Sequence, residues 1–263
     1  MMGWPRPARI IFGLIVVAIA AFLLLPTIII IPVSFSAASD IIFPPPGFSL
    51  HWYRSVFADP AWRDATITSL KVACLTVICA VVLGTSAAIG LFRARFVGKA
   101  IVQALFLSPL VTPLIVLAIG VFMVFSRWHL VGTLPGLVAA DTMLSIPLVV
   151  VSVTAALHTL NPNLELASLG LGAGPWRTFR RVILPLILPG VLAGAIFAFI
   201  TAWDEVVIAI FLTSASLRTL PVLIWSEVRA EISPAVAAVG SILIVVSAAG
   251  MVAVRLIVRG EPR

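Results

Sequence analysis

Three carboxylates stand inside apolar stretches of this sequence, where a charge is costly and marks function by default. They are Asp141, in LVAADTMLSIPLVV, and the adjacent pair Asp204 and Glu205, in FITAWDEVVIAIF. No nucleophile with a base beside it accompanies them, so covalent catalysis has no candidate constellation. His51, His129 and His158 are far apart in the chain, and Cys74 and Cys79, five residues apart in one apolar run, fall on different helix faces. Neither a metal cluster nor a disulfide is supported, and no cofactor is expected. What remains open to isolated carboxylates is electrostatic: attraction of a cation, to which Trp203 can add a cation–π contact. Neighbours on a helix differ by about 100°, so Asp204 and Glu205 cannot both face one cavity. Asp204 is taken as the cavity residue. Two blander roles stay open: one of the pair caps a broken helix or meets a basic residue of a partner chain, and Asp141 makes a local polar contact.

Composition states what must position these groups. Of 263 residues, 62% are hydrophobic and only 10% charged, with a mean hydropathy of +1.21. Soluble chains carry roughly 25% charged residues, so this is an integral membrane protein. A span needs about 20 apolar residues, and apolar runs fall at about 10–33, 66–92, 100–125, 135–157, 186–212 and 235–258. Six transmembrane helices forming one domain over residues 1–263 are expected, with no second soluble domain. The first run follows Arg6 and Arg9 like a signal peptide but is too long for one, and is read as an uncleaved span. The Pro-rich stretch 34–65 reads as an outer loop with a short helix near His51–Phe57.

The net charge of +7 does not indicate nucleic acid, because the basic residues sit at the ends of apolar runs. Of the 17 Arg and Lys, eleven fall on the side that holds both termini and the stretch Asn161–Gly190. The positive-inside rule makes that side cytoplasmic. At 1.5 Å per residue, Asp141 then lies roughly 9 Å below the outer end of the fourth span, and Asp204 roughly 27 Å along the fifth from its inner end. Both reach the outer third, where they can share a cavity. Gly98-Lys99 is not a phosphate loop: no Gly lies five residues before Gly98, and Ala100 stands where Ser or Thr is needed. Outside the membrane, Arg218–Ile232 reads as a short amphipathic helix with Trp225, Glu227 and Glu231, and Trp4, Trp52, Trp62, Trp128 and Trp176 read as interfacial anchors.

The inner segment NPNLELASLGLGAGPWRTFRRVILPLILPG, Asn161–Gly190, has its own logic. Glu165 to Ala167 opens a short helix. Gly170, Gly172 and Gly174 permit a sharp bend, because Gly accepts φ > 0. Pro175 and Trp176 start a second helix. The order Glu165, Ala167, Leu171, Gly172, Ala173, Phe179 and Pro185 resembles the EAA loop of bacterial ABC-importer permeases. Further matches run from about Thr66 to Val258: Thr68–Ala73, Ser108–Val111, Ile146–Val150, Trp203–Val207, Leu220-Pro221 and Ile232–Pro234. Together they look most like the second permease subunit of spermidine/putrescine-type importers.

The resemblance implies an all-α type I importer fold with both termini cytoplasmic, in a bacterial inner membrane. It implies a coupling loop over 158–185, and a transport subunit that does not itself hydrolyse ATP. Its implied partners are two ATP-binding subunits at the inner loops, a second permease subunit, an extracytoplasmic substrate-binding protein and the lipid bilayer. The cargo it implies is a polyamine or similar organic cation, an acidic pair at Asp204–Glu205 being linked to cationic cargo. An amino-acid derivative, opine, phosphonate, thiamine or iron belongs to the same class. Two departures stand out. Aligned from Gly172, the family Glu falls at Leu166 and its second Ala at Ser168, so Glu165 is one place early. Asp141 stands where the family usually has His. A secondary transporter or channel is the competing class. The coupling loop and the expectation of unbroken spans argue against it.

Overall fold

The computed structural model describes residues 6–230 and 233–259, with side-chain surroundings for 9–230 and 233–249. The helices are α1 (Arg6–Ser34), α2 (His51–Ala58), α3 (Pro60–Arg93), α4 (Lys99–Val111), α5 (Leu114–Arg127) and α6 (Leu134–His158). They continue as α7 (Pro162–Gly170), α8 (Pro175–Thr178), α9 (Leu184–Asp204), α10 (Val207–Leu212), α11 (Leu220–Ala230) and α12 (Pro234–Arg259). No strand occurs among the described residues, and the fold is all-α. The chain divides into one unit of residues 64–223 and another of residues 1–63 with 224–263.

Among the described residues, four helices are long and apolar enough to cross a membrane: Arg9–Ser34, Pro60–Arg93, Leu134–His158 and the continuous run Pro175–Asp204. The expected third span is broken rather than straight. α4 and α5 meet at 106°, because Pro113 forces Thr112 into an extended conformation (ψ 133°) that ends α4. The expected fifth span differs at both ends. Its helix begins at Pro175, inside the stretch expected as a loop, and passes through a π-helical turn at Phe179–Ile183. Pro185 has no N–H to donate and its ring crowds the carbonyl four residues back; a widened turn accommodates both. The span then breaks at Glu205, which is extended (ψ 119°), before α10 resumes. With two spans interrupted, discontinuity no longer argues against other transporter classes. The second span starts earlier than expected, at Pro60, because Asp59 caps it through the Ala61 N–H at 2.8 Å. α12 contributes the shorter apolar stretch Pro234–Ala249.

In the 64–223 unit, α6 is the central helix, with Ala140, Val149 and Val153 fully buried. Glycines set its distance from its neighbours. A Cβ on Gly190 of α9 would lie 2.5 Å from Ala156 Cβ, and one on Gly84 of α3 would lie 2.7 Å from Val149 Cβ. Small residues let helices approach this closely in a bilayer. Gly190 meets Ala156 while Gly194 meets Val149, so α9 runs antiparallel to α6. In the other unit, α12 packs on α1 and α2, and the Tyr53 hydroxyl hydrogen-bonds to Ser34 Oγ and Ser241 Oγ, joining all three helices. The expected short helix near His51 is α2. The expected amphipathic helix is α11, where Arg229 lies 5.0 Å over the Trp225 ring. Glu231, Ile232, Trp4 and Arg263 lie outside the described residues.

Candidate functional site: a membrane cavity and an inner helical knob

The two helix breaks meet at one place. A cavity of about 490 Å³ lies between them and α6, lined among others by Pro109, Thr112, Leu148, Thr201 and Asp204. Breaks free backbone groups that a bilayer cannot solvate, so they are tolerated where they line a cavity.

The acidic pair divides its labour. Glu205 is buried, and its two oxygens accept hydrogen bonds from Ile208 N–H and Ala209 N–H, each at 2.8 Å. These are the donors α10 leaves open at its start, so Glu205 holds the break together as a cap. Both acids line the cavity, against the expectation that only one could, and of the two only Asp204 is exposed. Trp203, one residue earlier, is half-buried with its ring stacked on Phe199, centroids 5.9 Å apart.

Asp141 behaves differently from its expected place beside Asp204. It is 4% exposed, within the packed face of α6, and is absent from the cavity lining. The antiparallel register continues from Gly194–Val149 to bring Ala202 level with Asp141, within electrostatic reach of Glu205. Around it the hydroxyls of Thr142 and Ser145 on α6 are buried and unpartnered, as is Thr76 of α3. Sequence reasoning missed these hydroxyls; the spacing of Ser145 four residues from Asp141 was the available signal.

The Asn161–Gly190 segment folds as a knob. Asn161 caps α7 through Asn163 N–H at 3.0 Å. Among the three loop glycines only Gly172 takes positive φ, at 81°. Gly172 N–H then bonds Leu169 O at 3.0 Å, and Ala173 N–H bonds Ser168 O at 3.1 Å. This is the left-handed closure that ends a helix. Ser168 Oγ and Thr178 Oγ1, 3.0 Å apart, tie α7 to α8. Ala167 is exposed, Phe179 is half-buried against Trp176 with centroids 5.6 Å apart, and Pro185 is exposed on the span above. Apolar side chains cap the knob: Leu171 is 90% exposed, Trp176 71% and Leu166 64%. Glu165 is not free, because Arg93 Nη2 lies 3.0 Å from both of its oxygens. That pair fastens α7 to the end of α3.

Long apolar helices, two of them broken around one cavity, with a helical knob beyond the span ends, define a membrane transport subunit. The family described as "Binding-protein-dependent transport system inner membrane component" matches residues 80–261, and the chain belongs to that family. It is 32% identical over 255 residues to the spermidine/putrescine transport system permease protein PotC of Escherichia coli strain K12, covering 97% of this chain and 96% of that one. It is 31% identical over 253 residues to the putrescine transport system permease protein PotI of the same strain, covering 91% and 88%. A bacterial ABC transporter that imports the acidic polysaccharide alginate shares the fold, with a TM-score of 0.73 at 15% identity and full coverage of both chains. The chain is therefore a permease subunit of an ATP-driven importer, a transport protein and not an enzyme; ATP hydrolysis resides in a separate subunit. Membership implies ATP-binding subunits, a partner permease and a binding protein as its company.

Proposed function

We propose that this permease imports a small organic cation of the polyamine class, with Asp204 as the cargo-facing charge. The carrying observation is a single exposed carboxylate on the wall of a cavity at two helix breaks. In a partly dry cavity its attraction for a cation is stronger than in water. The spermidine/putrescine and putrescine permeases it resembles support that class of cargo. Trp203, stacked on Phe199 and absent from the cavity lining, is left out of the cargo site, and Glu205 serves the cavity by holding its wall.

The chain crosses a bacterial inner membrane six times, with α4–α5 and α9–α10 each counted as one span and both termini in the cytoplasm. A second permease completes the path, a binding protein delivers cargo outside, and two ATP-binding subunits seat the α7–α8 knob. Glu165, Ala167, Leu171, Gly172, Ala173, Phe179 and Pro185 transmit the closure of those subunits to α9. The continuous helix from Pro175 to Asp204 supports this reading, because it links the knob to the cavity wall in one rigid element.

The test is uptake into vesicles by the complete importer with its binding protein. Asp204→Asn is expected to lower uptake of putrescine or spermidine while the complex stays assembled and binding-protein affinity stays unchanged. Unaltered uptake by that variant would remove Asp204 from the path.

A further inference from the structure

A second cavity, of about 700 Å³, lies nearer the other ends of α4 and α6, and carries the opposite charge. Lys99 and Gln103 of α4 and Thr154 and His158 of α6 are its polar lining. No carboxylate lines it, and Lys99 is half-buried with no acidic partner among the described residues.

Helical spacing relates it to the first cavity. On α6, Leu144 and Leu148 line the Asp204 cavity, and Val151, Ala155 and His158 line the second. These positions recur at i, i+4, i+7, i+11 and i+14, which is one face of a helix. On α4 the same holds for Lys99, Gln103 and Leu107 of the second cavity and Leu110 of the first, at i, i+4, i+8 and i+11. Two cavities on one face of each of two neighbouring helices open along a single seam. The seam begins at an acid and ends at two bases.

We infer that this second cavity is the inner half of the translocation path, and that Lys99 and His158 form a cationic exit from which a cationic cargo is expelled. The inference rests on the importer reading and on Asp204 as the entry charge. Attraction at Asp204 draws the cation in, and the partly buried ammonium of Lys99 prevents a second resting place at the exit. A site that released its cargo slowly would hold the importer in its inward state and slow each cycle. Lys99 supplies the repulsion, and His158 adds a polar imidazole to the lining.

Cysteine accessibility in the assembled importer tests the path, on a background with Cys74→Ser and Cys79→Ala. Gln103→Cys and Leu107→Cys should react with a charged, water-soluble thiol reagent from the cytoplasmic side, and transported putrescine should slow that reaction. Leu105→Cys, about 200° round the helix from both by the 100° step and set on a different cavity lined mainly by apolar side chains, should stay unreactive. Equal reactivity at all three positions, or labelling that cargo never slows, overturns the path. The exit charge has its own readout. Lys99→Glu should make uptake severalfold more sensitive to putrescine preloaded inside the vesicles, and Lys99→Gln less so. If both variants are as insensitive as the unaltered complex, the cationic exit is wrong. ATP-driven uptake by the unaltered complex reports on the importer reading separately. If putrescine is not carried but another cargo protects Gln103→Cys, the path stands and only the polyamine reading falls.

Discussion

At the scale of single residues, neighbouring carboxylates have different partners and so should answer substitution differently. Glu205 accepts two backbone N–H groups that have no other acceptor. Glu205→Gln keeps one acceptor oxygen but sets its NH2 against the second N–H, so it is expected to lose part of the cap and fall between Glu and Ala in stability. Glu205→Ala strands buried donors, each costing about 1–3 kcal/mol. A clearly lower melting temperature of the purified complex for Ala, with Gln intermediate, is the expected pattern. If Gln is as damaging as Ala, the charge itself matters and Glu205 is more than a cap. Asp204→Asn should do the reverse, sparing stability and lowering cation uptake by about tenfold, the loss of some 1.4 kcal/mol of attraction. For Asp141 the structure redirects the expectation, since it is buried in the packed face of α6 and does not line the cavity with Asp204. Asp141→Asn replaces a buried ionisable group by a neutral one of the same shape and should leave the melting temperature equal or higher. Because Asp141 and Asp204 do not line one cavity, their effects on uptake should add rather than saturate.

At the scale of elements, the knob depends on one backbone angle and one ion pair. A Cβ on Gly172 would meet nothing within 4 Å, so steric filling is not what forbids a side chain there. The penalty comes from the φ of 81°, about 1–2 kcal/mol for an ordinary residue and less for Asn. The expected order in co-purification of the ATP-binding subunit is Gly, then Asn, then Ala, then Val. Retention by Gly172→Val equal to that of the native chain would refute the hinge. The Arg93–Glu165 pair is more than a third exposed on both sides, so it contributes below about 1 kcal/mol to stability. Its use is to orient α7 on α3. Arg93→Glu should weaken coupling of ATP hydrolysis to uptake, and combining it with Glu165→Arg should restore much of that coupling. Failure of the reversed pair to rescue would mean that Glu165 touches the ATPase directly.

At the scale of the whole molecule, the distribution of Arg and Lys predicts both termini and the knob on the cytoplasmic side. Thr178 is 1% exposed, so a cysteine there would be silent for reasons unrelated to sidedness. Leu171, at the tip of the knob, is the informative position. With Cys74 and Cys79 replaced, Leu171→Cys should be labelled in inside-out vesicles and not in intact cells. Labelling from outside intact cells would invert the topology and separate the knob from any ATPase.

Apolar run length, charge placement and glycine spacing alone made the membrane class, the helical fold and the inner knob legible. Each is a local property: twenty apolar residues demand a bilayer, and glycines such as Gly170, Gly172 and Gly174 adopt a left-handed turn at no steric cost, though which of the three does so, Gly172, is seen only in the structure. Where the spans break was half legible. Thr112-Pro113 carried the signal in its residue types, whereas the break at Glu205 depends on a carboxylate reaching N–H groups three and four residues on. Which carboxylate faces the cavity lay beyond the sequence altogether. Asp204 and Glu205 are chemically near-equal neighbours, and Asp141 reaches a similar depth. Only packing against α6 and α10 decided that Asp141 is enclosed, that Glu205 gives its oxygens to the α10 N–H groups and that Asp204 stays exposed, because the cost of burying a charge depends on what lies across the interface and not on what lies beside it in the chain.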